Sequence, residues 1–492
     1  MRMMSQEVLL CRVSRMKKQL VWLLVLALLG WDPPQAHAQG ARRNVASLYQ
    51  ELCANCHGPD LRGGQARSLL DDEWVHGSGD DATLFAVIRD GDEPNGMPPW
   101  KNVLSDEEIR ALIIYIREKA TEARHAATRY AQPRPDQVVG SKLHRFRVRT
   151  VAEGLATPWS MAWLPDGTML VTELPGRLRL VRDGRLLPEA VEGLPEVRYR
   201  GQGGLMEVAV HPGYATNGWI YLAYSEPRRD QQGRDVSMTT LIRGRLRGLT
   251  WTDSEVVWRA PLWSFRPGNI HFGCRIAFGP DGYLYFSHGE RGHGPDAQDL
   301  RRPNGKIHRI HDDGRIPADN PFVGQPETFP SIWSYGHRNP QGLAFHSVTG
   351  ELWETEHGPR GGDELNLIVR GRNYGWPVIT YGMNYDGTPI TARTAAEGME
   401  QPVVHWTPSI AVCGMDFYRG ERFPRWRHHL FVTGLASQEL RRLEIRGHAV
   451  AEQEILFKGI GRVRHVATGP DGYLYVALNG PDRIIRLEPA DE

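Results

Sequence analysis

The feature that most limits what this chain can fold into is a hairpin built on Pro-Asp-Gly. Met161–Val171, Ile276–Phe286 and Val466–Val476 each read as an apolar strand, a turn and a second apolar strand. Their turns are Pro165-Asp166-Gly167, Pro280-Asp281-Gly282 and Pro470-Asp471-Gly472. Proline presets φ, aspartate folds its side chain onto the following backbone, and glycine supplies positive φ, so each turn has a mechanism. Looser copies occur at Val208–Tyr224, Leu343–Glu354 and Met415–Val432, and further strands follow, such as Arg177–Val181, Lys306–Ile310 and Glu439–Ile445. Six copies give roughly 57 residues per unit, a fair size for a four-stranded blade with its loops. One such unit cannot bury both faces, so the units must stack radially. The expected fold over 146–492 is a mainly β, six-bladed propeller; a flat sandwich fits the regular turns less well. The 53 glycines and 34 prolines agree with so turn-rich a chain. The last repeat runs short of strands before Glu492, and Phe146–Val151 is expected to supply the missing one and close the ring.

Ahead of the repeats the pattern changes. Cys53-Ala54-Asn55-Cys56-His57 places two thiols where they can bond both vinyl edges of one haem, with His57 beneath the iron. Asn44–Cys53 reads as a helix leading into the motif. Ser105-Asp106-Glu107-Glu108 is a capping box followed by Ile109, Leu112, Ile113 and Ile116 at helical spacing. Between them Gly96-Met97-Pro98-Pro99 holds Met97 in a Pro-flanked loop, suited to the sixth iron position. A redox dithiol or half a zinc site would also use C-x-x-C, but no second C-x-x-C exists and a histidine follows at once. Together these segments resemble a small class I cytochrome c. The resemblance implies an all-α domain over 41–125 carrying haem c on Cys53 and Cys56, with iron ligated by His57 and Met97.

The flanks of that domain have their own signatures. Lys17 and Lys18, the apolar run Leu20–Leu29 and Ala36-His37-Ala38 read as a cleaved secretory signal over 1–38, and so as export to the periplasm or beyond. The apolar run is short for a membrane span, which needs about 20 residues. Cleavage would remove Cys11, leaving Cys274 and Cys413 beside the haem pair; two buried free thiols are expected rather than a disulfide. Residues 126–145, with Gln132-Pro133-Arg134-Pro135-Asp136, read as a semi-flexible linker. A net charge of +1 gives no sign of a nucleic-acid partner.

Polar motifs flank the hairpins where a propeller's upper loops would lie. They are Arg200–Gly204, Asn269–Arg275, Tyr335–Gly342, Glu356–Glu364 and Gly461–Arg464. With Gly336–Phe345 ("GHRNPQGLAF"), Gly362–Ile368 ("GDELNLI") and Asn373–Pro377 ("NYGWP"), residues 150 to 488 resemble the soluble pyrroloquinoline quinone (PQQ)-dependent glucose/sorbosone dehydrogenases, close to the aldose sugar dehydrogenases. That family folds as a six-bladed propeller. The resemblance implies that His271 is the general base and that Arg338 and Asn339 lie near the quinone oxygens. It gives Gln202 and Tyr385 as further PQQ contacts, Trp406 as a cover for the ring, and Arg462 and Arg464 as partners of the PQQ carboxylates. A lysine of the family is replaced by Ala436, leaving main-chain groups of Gly434, Leu435 and Ala436 to make that contact, with Lys458 as a possible substitute cation. It also implies calcium held by Glu364 and the Tyr374 carbonyl, and a second ion on the carbonyls of Gly358 and Pro359.

The function these features imply is a periplasmic quinohaemoprotein. It would oxidise an aldose or similar alcohol at PQQ and pass electrons through its haem to a downstream redox carrier. A calcium-dependent, lactonase-like hydrolase and a non-catalytic sugar-binding propeller are the alternatives. Neither gives a fused electron carrier a purpose.

Overall fold

The computed structural model describes residues 43–490; the signal expected over 1–38 lies outside them. Six antiparallel sheets make the blades, five of four strands and one of five. The innermost strands, in blade order, are Pro158–Trp163, Leu205–Val210, Gly273–Phe278, Pro340–Phe345, Val412–Phe417 and Arg462–Thr468. The turns behave as their residues dictate. Gly167, Gly282 and Gly472 have φ of 85°, 80° and 80°. Asp166 accepts from the amide of Thr168 at 2.9 Å, and Tyr475 donates its hydroxyl to Asp471 at 2.7 Å.

The ring closes with the strand that precedes blade one. Arg145–Glu153 pairs with Arg483–Pro489 from Phe146↔Pro489 to Glu153↔Arg483, so both ends of the propeller share blade six. Apolar side chains from adjacent blades fill the seams; Met206, Tyr221 and Leu241 of blade two, for example, meet Phe272, Ile276 and Phe286 of blade three.

One irregularity recurs in all six blades. Every inner strand breaks register with its neighbour near its first residue, at 158/160, 205/207, 273/276, 340/342, 412/415 and 463/465. Such bulges re-aim side chains and cluster beside functional sites. The residues inside the breaks include Trp159, Arg275, Gln341, Cys413 and Arg464. Several of them meet at the propeller axis.

The N-terminal module that carries the C-x-x-C-H motif, named the haem module for that expectation, has four α-helices among the described residues: α1 (Val45–Leu52), α2 (Ala54–His57), α3 (Asp81–Asp90) and α4 (Asp106–Ala127). Asn44 caps α1, and α4 opens on the expected reciprocal box between Ser105 and Glu108. Val45, Leu48 and Tyr49 of α1 share a core with Ile109, Leu112, Ile113 and Ile116 of α4. Among the described residues no helix is long and apolar enough to cross a membrane.

The connector differs from the semi-flexible coil expected of it. Helix α4 runs two residues past 125, and Val138–Gly140 forms a strand on Arg145–Arg147, the fifth of blade six. The amide of Lys458 donates to Ala131 at 3.0 Å, and Val139 is buried in the seam of blades five and six. The physical reason is an open sheet edge, whose unpaired backbone groups recruit any extended segment alongside.

Candidate active site

The floor of the axial channel is a single cation. Arg275 donates to Glu207 of blade two at 2.8 Å and to the Gln341 carbonyl of blade four at 2.6 Å. Its other nitrogen faces Cys413 of blade five at 3.8 Å and the Arg464 carbonyl of blade six at 3.4 Å, and the guanidinium lies 4.1 Å from the ring centre of Trp159 in blade one. One side chain thus touches every blade. Burial pushes the Glu207 carboxyl up, with Arg275 and Ser160 opposing.

Above this floor sits His271, with φ of 54°, a backbone state that only a surrounding framework can hold. Gln202 provides part of that framework, its side-chain oxygen accepting from the His271 amide at 2.7 Å. Arg291, buried and stacked 3.5 Å from the Phe272 ring, donates to the carbonyls of Ile270, Gly268 and Ser237 and so pins the loop. Gly289 allows the close approach, since a Cβ there would collide with the His271 carbonyl. His271 Nδ1 lies 2.5 Å from Glu290 Oε1, while Nε2 has no partner among the described residues. A carboxylate at Nδ1 fixes the proton there and leaves the Nε2 lone pair free. Burial holds this imidazole below its ordinary value; Glu290 pulls the other way, and Arg338 and Arg291 add to the depression.

The neighbouring loop is organised by Glu356, which accepts from the amides of Arg338 at 2.5 Å and Asn339 at 3.3 Å. Asn339 accepts from the Gly273 amide at 3.1 Å and so ties blade four to the His271 loop. Arg338 donates to the carbonyls of His357 at 3.0 Å and Gly358 at 2.7 Å, and its Nε is buried without a partner. His357 is pushed well below the usual range by burial and by Arg338 and Arg464, and its Nε2 is buried and unpartnered. Arg464 donates to Asn479 at 3.4 Å and Cys413 at 3.5 Å and lies 5.9 Å from the ring centre of Trp159; Arg462 is exposed.

These cations lack acids. Of the buried arginines, Arg110, Arg179, Arg275, Arg309 and Arg442 all pair with carboxylates, whereas Arg291 and Arg338 do not. Nor do Arg462 and Arg464 form ion pairs among the described residues. Guanidinium groups left without acids, beside a free imidazole, fit a planar polycarboxylate such as PQQ.

Other expected residues lie elsewhere. Trp406 does not cover this pocket: its indole N–H donates to Gln453 at 3.0 Å, and it packs with Leu365 and Ile410 in the seam of blades four and five. The aromatic beside Arg338 is Trp376, at 5.3 Å. Tyr385 is 72% exposed on the turn from Asn384 to Thr388. The amides of Leu435 and Ala436 are spent on the carbonyls of Ala411 and Ile410, both at 3.0 Å, and Gly434 is paired within its sheet, so this main chain has no donor to spare. Lys458 cannot substitute for the missing lysine, because it pairs with Glu439 at 2.9 Å.

The metal expectations divide. The Gly358 carbonyl receives Arg338, and that of Pro359 accepts from Ser409 at 3.0 Å. A divalent ion there would face a guanidinium, so these carbonyls do not fit one. By contrast, Glu354, Glu356 and Glu364 converge on the side-chain nitrogen of Asn366 at 3.1, 3.4 and 3.2 Å. Burial, then the Glu356 charge, pushes both Glu354 and Glu364 well above the carboxylate range. His337, Glu354 and Glu356 offer ligand atoms within 4.8 Å of one another. The Tyr374 ring stacks on His337 at 4.7 Å. Buried carboxylates without a cation fit a hard divalent ion.

In the haem module, His57 Nδ1 lies 3.2 Å from the Arg67 carbonyl, which leaves Nε2 for iron. Met97 exchanges backbone hydrogen bonds with Asp92 at 3.0 and 2.8 Å. Cys53 and Met97 border the same apolar cluster, with Trp74 and Trp100, and this lining fits a haem. Cys274 and Cys413 are buried free thiols.

Comparison with known proteins is consistent with this anatomy. The family "Glucose / Sorbosone dehydrogenase" matches residues 155–486, and "Cytochrome C oxidase, cbb3-type, subunit III" matches residues 40–116. Aldose sugar dehydrogenase YliI of Escherichia coli is 42% identical over 70% of this chain and 92% of its own length. Quinoprotein glucose dehydrogenase B of Acinetobacter calcoaceticus is 29% identical over 59% of this chain and 65% of its own. Among solved structures, the PQQ-bound aldose sugar dehydrogenase of Streptomyces coelicolor covers 70% of this chain and 98% of its own, at 31% identity and a TM-score of 0.56.

Proposed function

Because the chain belongs to the glucose/sorbosone dehydrogenase family, with a cbb3-type cytochrome c domain ahead of the propeller, we propose that it is an exported PQQ-dependent aldose dehydrogenase with its own haem outlet. The observation that carries this reading is the His271–Glu290 pair facing arginines without acids.

His271 Nε2 takes the proton of the sugar's anomeric hydroxyl, and Glu290 offsets the charge that the imidazole gains. When bound, PQQ supplies the two-electron acceptor for the substrate's C–H bond. Arg338, Arg462 and Arg464 would hold its carboxylates and oxygens. Gln202, Asn339 and Arg291 keep the His271 loop in place. The substrate loses two electrons and two protons as its C–H and O–H bonds break and a lactone carbonyl forms. Calcium would be held by Glu354, Glu356 and Glu364 with the Tyr374 carbonyl. Because Glu356 also binds the Arg338 and Asn339 amides, that ion would stiffen the loop rather than touch the sugar. Haem on Cys53 and Cys56 would supply a one-electron acceptor, emptied by a downstream redox carrier.

The hydrolase reading gains no comparable support, since Gly358 and Pro359 carry bonds that a pocket-side calcium would have to break, and the sugar-binding reading leaves the cytochrome c domain without a purpose. The test is to add PQQ and calcium to the haem-loaded protein and follow the haem spectrum with a panel of aldoses. Reduction by at least one aldose is expected in the wild type and not in His271→Ala. A haem that stays oxidised with every sugar while PQQ fails to bind would overturn the reading.

A further inference from the structure

The haem module is seated on blade four, and its contacts there are built rather than incidental. Glu118 of α4 is 4% exposed, accepts from Arg360 Nε at 3.2 and 3.1 Å, and forms an ion pair with its Nη2 at 2.9 Å. Arg360 in turn exchanges backbone hydrogen bonds with Met383 at 3.0 and 2.9 Å. Met383, a propeller residue, is fully buried within the core of the haem module beside Leu48 and Ile114. At the start of α1 the Asn44 side chain donates to the Asp386 carbonyl, and the Val45 amide to that of Gly387 at 2.9 Å. Farther along α4, Thr121 donates to the Thr407 carbonyl at 3.3 Å.

This contact leads directly back to the pocket. Arg360 lies two residues beyond Gly358, whose carbonyl holds Arg338. The Gly358 amide is itself fixed by Asp363 at 2.9 Å. One short segment therefore carries a pocket arginine at one end and the haem module at the other. An exposed ion pair would add little, but Glu118 is buried and the Arg360 side chain is only 29% exposed, so solvent screens this pair less than one at the surface.

We propose that Glu118 and Arg360 are positioning residues which, with Met383, lock the haem module in one orientation on the pocket's blade-four rim. Electrons then leave through a rigid contact and not by the swing of a tethered domain. The route rests on the dehydrogenase reading above; the lock does not.

The test uses the full chain with haem attached and has two arms. In the first, without PQQ, hydrogen exchange is measured at 381–387 and along α4. Glu118→Lys sets a like charge against Arg360 and should raise exchange there by about tenfold, since local opening tracks the contacts that hold a segment closed. The charge swap Glu118→Lys with Arg360→Glu should restore protection. Unchanged exchange in Glu118→Lys would overturn the lock. In the second arm, with PQQ, calcium and glucose, Glu118→Lys should slow haem reduction by about tenfold as the module falls back on its tether. Glucose oxidation coupled to a small dye that bypasses the haem should be unaffected. Equal loss of both activities would overturn the positioning role. If wild-type protein reduces neither haem nor dye with any aldose, the dehydrogenase reading fails, and the exchange arm still decides the lock.

Discussion

Arg275 and the pair Arg338 and Arg464 stand on or just ahead of inner strands of the propeller, and they differ in whether an acid answers them. Arg275, on the floor, meets Glu207, a backbone carbonyl on each of two further blades, a thiol and an indole face. Arg338 and Arg464, at the mouth, end on carbonyls, an amide oxygen and a thiol, with no carboxylate. A cation answered from every side is part of the scaffold. A cation given dipoles and no counter-charge is prepared for something that arrives from outside.

The largest expected effect breaks the floor. Arg275→Met leaves Glu207 buried without its partner and should cost about 3–5 kcal/mol of stability, read by urea unfolding. At the mouth the same substitution should reverse the pattern. Arg464→Met should change stability by less than about 1 kcal/mol, because no acid is stranded, yet weaken PQQ binding by about ten- to a hundredfold through loss of a charge-assisted bond. Calorimetric titration of PQQ into the sugar-free protein checks this, and equal stability losses at the two sites would erase the contrast.

The smaller effects concern the base between them. The His271 value is held below about 6.5. Activity should therefore fall as pH drops through that lowered value and stay level above it, as a pH profile of kcat/KM will show. Glu290→Gln removes the opposing carboxylate, so the acid limb should move lower still, with a loss in kcat of about tenfold. A limb that shifts upward would place Glu290 in some other role.

Much of this was readable in the residues, for local reasons. Pro-Asp-Gly turns and C-x-x-C-H act over a few positions, so repeat number, ring closure and the cytochrome c domain follow from short stretches. His271, Arg338 and Arg464 stand inside long, chemically unusual motifs. Glu290 was missed because its pairing with His271 spans 19 positions, and "HGERG" reads as an ordinary charged loop. Its only signal was an acid just after a strand that ends at the channel. Arg275 was missed for a different reason: a bulge shifts the side-to-side alternation of a strand, and nothing in Gly273–Phe278 declares one. Trp406 was misplaced because a motif does not say how far from the axis its strand lies. The connector and the Met383 contact depend on surfaces made by residues hundreds of positions away.

The closing strand has one further consequence, in the order of manufacture. Arg145–Glu153 leaves the ribosome before any blade, yet its partner Arg483–Pro489 is nearly the last segment made. The seat for the haem module, around Met383, is likewise finished only after blade three. The haem module leaves the ribosome early, but its core is completed by Met383, so it must wait through most of synthesis for its dock. The ring itself is sealed last, by a strand that has been in place from the start.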